Sequence, residues 1–381
     1  MIQNVLKLSV LLHDNHVGTL QRDPDTGACV FEYDKDWLAG GFAISPTELP
    51  LRDGLFIASP DRFGGNFAVF EDSLPDGYGL YLLNRILRDN GTSLQEISPL
   101  QKLSIIGTAG MGALTYLPVM PGFDAQSELE PSSNLDLFQD EALKVLGEKE
   151  PGDASLLYYS SANSGGARPK VAFRSSSGTH WLIKFRHEYD PKTIGQTEYL
   201  YMRTARECGV SIPQIGLLND RYFCIERFDL EKDGTRNHVL TAAALLKTDF
   251  RDQSTDYTNL LALTGYLTQD PAQVEEMFRR MVVNLVAINK DDHAKNISFI
   301  CKNKKWALAP AYDITYSPGG SNGEHATSLF YHGNPPLELV LRAGTQIHIP
   351  ERRCMDIINK VETVCSKNLP KVSLLTSGKA V

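Results

Sequence analysis

The sequence has little of what marks secreted, membrane-spanning or zinc-binding proteins. Only six of its 381 residues are cysteines, and none stands in a CxxC pair or in a spacing typical of a zinc site or a disulfide framework. No apolar run reaches the roughly eighteen residues that a membrane span requires, and the start, MIQNVLKLSV, lacks the basic flank and cleavage site of a secretory signal. We therefore expect a soluble, cytoplasmic protein with reduced core thiols and no membrane contact.

Excess positive charge is also absent. The net charge is −8, from 38 Lys and Arg against 46 Asp and Glu, whereas a broad nucleic-acid surface needs clustered cations to neutralise phosphates. Any contact with nucleic acid is therefore expected to be indirect.

The length allows at least two folded units with separate cores. Composition changes at residues 119–134, which are rich in Pro, Ser and acidic residues and are typical of a linker. Residues 1–118 hold short strand patterns and a segment of helical spacing, which predicts a small α+β subdomain. Strand patterns continue through residues 135–229, and helical patterns dominate residues 230–381, so the whole chain is predicted to be α+β.

Several elements of the second part have clear boundaries. Residues 171–173 and 181–185 are apolar runs that flank the turn SSSG, which predicts a hairpin. A helical pattern over residues 193–208 ends at Gly209, as a helix with a glycine C-cap does. Asp270-Pro271 predicts the start of the clearest helix, with aspartate as N-cap and proline as the first helical residue.

The most informative stretch is NKDDHAKN (289–296), between that helix and an apolar strand pattern. Asp291 and Asn296 have the D-x-x-x-x-N spacing of a kinase catalytic loop, in which the aspartate accepts the substrate hydroxyl's proton and the asparagine binds magnesium. A hairpin-like segment then leads to Asp313, where a kinase keeps a carboxylate for Mg²⁺, a cation that prefers oxygen ligands. Two alternatives stay open: a solvated helix-to-strand turn, and His293 as a metal ligand beside Asp291 in a hydrolase.

A loop of small residues, SSANSGGARPK (160–170), precedes the predicted hairpin. Such loops let backbone N–H groups approach phosphate oxygens, and Arg168 and Lys170 add positive charge. The loop matches neither a Walker loop nor GxGxxG, so a flexible turn is the alternative. Lys184 is a single charge among apolar strand residues, as the ATP lysine of a kinase is, and Glu198 on the next helix is its candidate partner. A snorkelling lysine on an edge strand is the other interpretation.

Motifs along nearly the whole chain resemble those of the HipA family of serine/threonine kinase toxins. Each motif is weak alone, but together they are highly specific. They are FEYD (31–34) with WL (37–38), DSLPDG (72–77), IG (106–107) with GMGAL (110–114), GGARPK (165–170), ERFD (226–229), DDHAKN (291–296) and YD (312–313). The resemblance implies a protein-kinase-like two-lobed fold, with a β-rich N-terminal lobe that carries the small α+β subdomain and a mainly α C-terminal lobe.

The resemblance also implies a role for each candidate site residue. Asp291 would be the catalytic base, and Asn296 and Asp313 would bind Mg²⁺. Lys184 would grip the phosphates of ATP, and His293 and Tyr312 would lie near the nucleotide. The backbone of the segment between the lobes would hydrogen-bond adenine, and a surface ion-pair cluster is the alternative there; these residues are Glu226, Arg227 and Phe228. The phosphate loop would consist of Gly165, Gly166, Ala167, Arg168, Pro169 and Lys170.

Partners and regulation are implied in the same way. A toxin of this family phosphorylates a translation component such as an aminoacyl-tRNA synthetase, and a small HipB-like helix-turn-helix antitoxin binds it and connects it to operator DNA. Family members are commonly silenced when a serine in the phosphate loop is phosphorylated, but a gapless match places Asn163 at that position. Autophosphorylation would therefore use Ser160, Ser161 or Ser164, or would not occur. The sequence DIT (313–315), in place of DFG, predicts that no movable Phe switch is present.

Two other functions use the same residues. A small-molecule kinase shares the catalytic aspartate, asparagine and second aspartate, although the subdomain at 1–118 favours a protein partner. A kinase fold retained as a non-catalytic co-repressor belongs to a different class of protein. The presence of Lys184, Asp291, Asn296 and Asp313 argues against that class.

Overall fold

The computed structural model divides the chain into two compact units. The first unit consists of residues 1–192 and 224–240, and the second of residues 193–223 and 241–381. The described residues are 2–123, 134–147, 152–161, 165–249, 251, 254–319, 322–377 and the backbone of 379–380. The predicted linker at 119–134 lies for the most part outside them.

The described part of residues 1–192 contains short strands and helices of up to 13 residues. The strands are β1 (Lys7–Leu12), β2 (Asn15–Arg22), β3 (Cys29–Tyr33), β4 (Leu55–Ile57), β5 (Leu114–Leu117), β6 (Lys170–Arg174) and β7 (His180–Lys184). The helices are α1 (Lys35–Gly40), α2 (Ala68–Glu71), α3 (Gly77–Asp89), α4 (Pro99–Ile106), α5 (Leu135–Gly147) and α6 (Ala154–Ser160).

The described part of residues 193–381 contains the longest helices of the chain. The helices are α7 (Ile194–Cys208), α8 (Ala242–Leu246), α9 (Tyr257–Thr268), α10 (Pro271–Val286), α11 (Leu337–Gln346) and α12 (Glu351–Asn368). The strands are β8 (Ile215–Leu218), β9 (Tyr222–Glu226), β10 (His238–Thr241), β11 (Ser298–Lys302), β12 (Lys305–Leu308), β13 (Ser373–Leu374) and β14 (Lys379–Ala380).

A five-stranded antiparallel sheet forms the start of the first unit, in the order β4-β3-β2-β1-β5. Leu8, Val10 and Leu12 of β1 are buried, because alternate side chains of a strand point to the same face. Phe31 of β3 packs against Phe70 of α2, with ring centroids 5.3 Å apart. The apolar face of this sheet is therefore covered by helix.

A second antiparallel sheet of the first unit contains the predicted hairpin, which is confirmed. β6 pairs with β7, and the N–H of Gly178 closes the turn by donating to Ser175 O at 2.9 Å. β7 also pairs with the last residues of β9, where Ile183 lies opposite Cys224. The register places Lys170 of β6 opposite Lys184 of β7, so both lysine side chains leave the same face of the sheet.

α10 is the central helix of the second unit and begins as the sequence predicts. The carboxylate of Asp270 accepts the N–H of Ala272 at 2.9 Å, and Pro271 is the first helical residue. Met277 and Met281 are buried, and the helix packs against α9 and α12. The helix therefore fixes the start of the polar loop that follows it.

The C-terminal end of α7 and the state of the cysteines also agree with the predictions made from the sequence. α7 ends at Gly209, whose φ of +97° lies in the left-handed region that glycine adopts at little cost. All six cysteines are buried and free, and the sulfur atoms of Cys208 and Cys365 lie 3.9 Å apart between α7 and α12. Within the described residues, no helix is long and apolar enough to cross a membrane.

Candidate active site

The NKDDHAKN segment forms a loop between α10 and β11 that is held from two sides. Lys290 N–H donates to Ser317 O at 2.9 Å, and Lys290 O accepts the N–H of Ala326 at 3.0 Å. A single turn of 3-10 helix, Ala294–Asn296, then leads into β11. Backbone bonds to two distant segments therefore give this polar loop one defined course.

The two adjacent aspartates of this loop have opposite surroundings. The side chain of Asp291 is 67% exposed, and its carboxylate lies 3.8 Å from Nε2 of His293. Asp292 is only 1% exposed. The amide of Asn296 donates through Nδ2 to Asp291 O at 2.8 Å, which leaves its Oδ1 as the atom able to coordinate a cation. A substrate can therefore reach Asp291, and the bond from Asn296 orients the coordinating amide beside it.

Asp292 is the centre of a buried hydrogen-bond network. Its carboxylate accepts the hydroxyl of Tyr257 at 2.5 Å, Nδ1–H of His325 at 2.9 Å and the N–H of Thr327 at 3.2 Å. Burial and the neighbouring Asp292 carboxylate raise the pKa of Tyr257 well above its ordinary value, so that hydroxyl stays protonated and donates. Asn284 on α10 donates to the same hydroxyl at 2.9 Å. The network ties the catalytic-loop candidate to α9, α10 and residues 325–327.

Replacing Asp292 by alanine is expected to lower the free energy of unfolding of the second unit by about 3–5 kcal/mol, because three buried donors lose their acceptor. Asp291→Ala is the matched control, since it removes the same group one residue away on the surface and is expected to change stability by less than about 0.5 kcal/mol. Urea unfolding followed by circular dichroism measures both. Equal midpoints for the two variants would contradict the anchoring role of Asp292.

Asp313 and Tyr312 lie on the segment that follows β12. Asp313 has a φ of +54°, in the left-handed region that Asp and Asn adopt more readily than most residues. Its carbonyl accepts a long bond of 3.5 Å from Nδ2 of Asn289. The Tyr312 hydroxyl donates to Lys295 O at 2.7 Å and accepts from Ser298 Oγ at 2.5 Å. These contacts join the segment to the loop that carries Asp291.

The oxygen atoms of this group fit a hard divalent cation. An amide oxygen from Asn296 and a carboxylate from Asp313 are ligand types that Mg²⁺ accepts, and these two residues would hold it. Across the residues that the structure describes, no three or more His, Cys, Asp or Glu side chains form a cluster that could hold a metal ion.

The first unit contains the small-residue loop and both phosphate lysine candidates. Lys170 is buried, and its Nζ donates to Gly165 O, so the side chain lies against the loop. Lys184 is its cross-strand partner. Facing positions on neighbouring strands place the two positive charges on one face of the sheet. Arg168 makes a bidentate pair with Asp190, at 3.0 and 3.3 Å, so in this conformation its guanidinium neutralises a carboxylate.

The candidate phosphorylation sites lie at the start of this loop. Ser160 is the last residue of α6 and is buried. Ser161 is also buried, and its Oγ donates to Tyr158 O at 2.8 Å. Ser164 and Asn163 lie outside the described residues. Phosphorylation of Ser160 or Ser161 therefore requires the end of α6 to open first.

The ERFD segment is joined to the GMGAL motif by a buried ion pair. Arg227 donates to the Asp229 carboxylate at 2.6 and 3.0 Å, and Gly112 N–H donates to it at 3.2 Å. Burial raises the pKa of Asp229, but the charge of Arg227 and the hydrogen bonds outweigh it and leave the pKa lowered. Arg236 donates to Gly110 O at 2.9 Å. The pair is thus an internal connection and not the surface cluster that the sequence left open.

Sequence reasoning missed two parts of this arrangement. The Asp292 network draws on segments far apart in the chain, and no local spacing relates them. Asp76, in the DSLPDG motif, accepts the N–H of Gly166 in the phosphate-loop candidate, 90 residues away. The DSLPDG motif marks this segment in the sequence, but one sequence does not show which residues the motif contacts.

The fold and site together define a two-lobed α+β protein of the protein-kinase-like class. The fold agrees over 95% of this chain with that of HipA in the solved Shewanella oneidensis toxin–antitoxin complex of HipA, HipB and operator DNA. The match covers 90% of that chain, with a TM-score of 0.68 and 19% identity. The family model described as HipA-like C-terminal domain matches residues 162–368, and HipA N-terminal domain matches residues 8–117. The chain therefore belongs to the HipA family.

Curated relatives are kinases by name. The serine/threonine-protein kinase toxin HipA of Shewanella oneidensis is 25% identical over 348 residues, which cover 81% of this chain and 75% of the relative. A putative kinase of Haemophilus influenzae is 29% identical over 144 residues, covering 33% of this chain and 42% of the relative. The family resemblance inferred from the motifs is thus confirmed.

Proposed function

We propose that this protein is an ATP- and Mg²⁺-dependent serine/threonine protein kinase that acts as the toxin of a toxin–antitoxin pair. The observation that carries the proposal is the exposed carboxylate of Asp291 on an anchored loop, with the Asn296 amide oriented beside it and Asp313 after the next hairpin. That order supplies one base and two magnesium ligands. Membership of the HipA family supports the same reading.

Residues of the first unit bind the nucleotide. Lys184 grips the phosphates, and backbone N–H groups of the loop at residues 165–170, other than those at Gly166 and Pro169, approach them. Arg168 adds positive charge at the phosphates only when its ion pair with Asp190 breaks. The backbone of residues 226–228 hydrogen-bonds adenine, while the Arg227 side chain stays in its buried pair with Asp229.

Residues of the second unit handle the metal and the proton. Asn296 and Asp313 hold Mg²⁺, and His293 and Tyr312 lie near the nucleotide. When bound, ATP supplies the γ-phosphoryl group and Mg²⁺ neutralises its oxygen charge. As the serine or threonine oxygen bonds to the γ-phosphorus and the bond to the departing ADP oxygen breaks, Asp291 takes the hydroxyl proton. Its exposure suits a protein substrate, whose hydroxyl must approach from solvent.

The substrate is a translation component such as an aminoacyl-tRNA synthetase, and the partner is a HipB-like helix-turn-helix antitoxin. The relative named as a kinase toxin and the solved complex of HipA with HipB and operator DNA support the antitoxin partner. The choice of substrate rests on the family resemblance. With a net charge of −8, the chain contacts DNA through the antitoxin and not directly.

Incubation of the purified protein with γ-labelled ATP, Mg²⁺ and an extract of the source cells tests the function. We expect label on serine or threonine of a translation protein and on Ser160, Ser161 or Ser164 of the chain itself, located by mass spectrometry. Induced expression is expected to arrest growth, and co-expressed antitoxin to restore it. Label on a small molecule alone would favour the small-molecule kinase, and ATP binding without any transfer would favour the non-catalytic co-repressor.

A further inference from the structure

We infer that Asp76 holds the phosphate loop in place and is a positioning residue for nucleotide binding. The effect of this contact on ATP binding rests on the proposed function. The contact itself lies within the first unit, so it can be tested separately from ATP binding.

Asp76 occupies the N-cap position of α3, where an aspartate ordinarily accepts an N–H of its own helix. Its carboxylate makes no such capping bond to the described N–H groups of α3. Instead it accepts the N–H of Gly166. In return, the N–H of Tyr78, in the first turn of α3, donates to Gly166 O at 3.1 Å. The helix start and the loop therefore exchange two hydrogen bonds, one in each direction.

Glycines on both sides allow this close approach. Gly77 has a φ of +41°, and a Cβ there would lie 2.7 Å from Gly166 O and 2.9 Å from Ala167 Cα, distances that real Cβ atoms do not reach. A Cβ on Gly165 would lie 3.1 Å from the Asp76 carboxylate. Any larger residue at 77 would force the loop away, so the contact depends on the glycine of the DSLPDG motif.

The contact has a physical use in a loop that binds phosphate through its backbone. A loop held in its binding conformation before the ligand arrives loses less conformational entropy on binding. Asp76 is 6% exposed. By accepting the N–H of Gly166, its carboxylate fixes the backbone at that residue, so the neighbouring N–H groups of the loop keep one orientation. The ammonium of Lys170, bonded to Gly165 O, lies at the same loop and offsets the repulsion between this carboxylate and a phosphate.

Hydrogen exchange in the ATP-free protein tests the contact directly. In Asp76→Ala, exchange of peptides covering residues 165–170 is expected to be about tenfold faster or more, because the loop loses a charge-assisted bond. Asp89→Ala, an exposed position at the other end of α3, is the matched control and should leave the loop unchanged. Exchange in β1 and β2, which belong to the same unit as Asp76, shows whether that unit is still folded. Equal loop exchange in Asp76→Ala and the parent would overturn the inference.

Calorimetry with ATP and Mg²⁺ then tests the consequence. Asp76→Ala is expected to raise the Kd about tenfold, and Asp76→Asn, which keeps an acceptor, to recover most of the loss. Gly77→Ala changes no charge and is also expected to weaken binding, since its Cβ displaces the loop. Tighter binding by Asp76→Ala would show that the carboxylate competes with phosphate, and would overturn the inference. If the parent binds no ATP, the proposed function fails, while the exchange result still decides the role of Asp76.

Discussion

Asp291→Ala is expected to slow phosphoryl transfer at least about a thousandfold while leaving the Kd of ATP within about threefold of the parent. The carboxylate orients the attacking hydroxyl and takes its proton, so it contributes mainly to the transition state. Because the Asp291 side chain is 67% exposed, its loss is expected to leave the fold intact. Single-turnover transfer from γ-labelled ATP measures the rate, and calorimetry measures the affinity.

Asp291→Asn is the control for the size and shape of the side chain. The amide has nearly the size of the carboxylate but does not accept the proton, so this variant is expected to be as inactive as Asp291→Ala. Neither variant should arrest growth, and neither should carry phosphate on Ser160, Ser161 or Ser164. Transfer at the parental rate by Asp291→Asn would show that another group is the base.

Asp313→Ala is expected to weaken magnesium-dependent ATP binding at least about tenfold. A lost carboxylate leaves Mg²⁺ with fewer protein ligands and leaves phosphate charge unneutralised, so the effect falls on nucleotide affinity as well as on rate. This distinguishes Asp313 from Asp291, whose loss affects the rate alone. Calorimetry with ATP, in the presence and absence of Mg²⁺, measures the difference.

Asp313→Asn distinguishes the loss of a charged metal ligand from an effect on the backbone conformation. Asparagine tolerates the φ of +54° at this position and keeps one oxygen ligand, so its loss of affinity reports the missing charge and not local strain. With EDTA in place of Mg²⁺, the parent and both variants are expected to bind ATP equally weakly. A parent and Asp313→Ala with the same magnesium dependence would place the metal at other residues.

Much of the fold was predictable because its signals are local. The N-cap at Asp270, the glycine stop at Gly209 and the SSSG hairpin each depend on a few adjacent residues whose backbone preferences are intrinsic. The spacing of Asp291 and Asn296 is local in the same sense, since both lie on one loop. Such patterns depend on residues that are neighbours in the sequence, so they can be interpreted without the tertiary structure.

The sequence alone therefore determined the α+β class, the bounds of several elements, the family and a short set of candidate residues. It did not determine which of two consecutive aspartates is exposed. That difference arises because Tyr257, His325 and Thr327 surround Asp292 from distant segments and leave Asp291 to solvent. Likewise, the link between Asp76 and Gly166 exists only because folding brings residues 90 positions apart into contact. Burial and hydrogen-bond partners are properties of neighbours in space, and only the tertiary structure decides which neighbours a residue has.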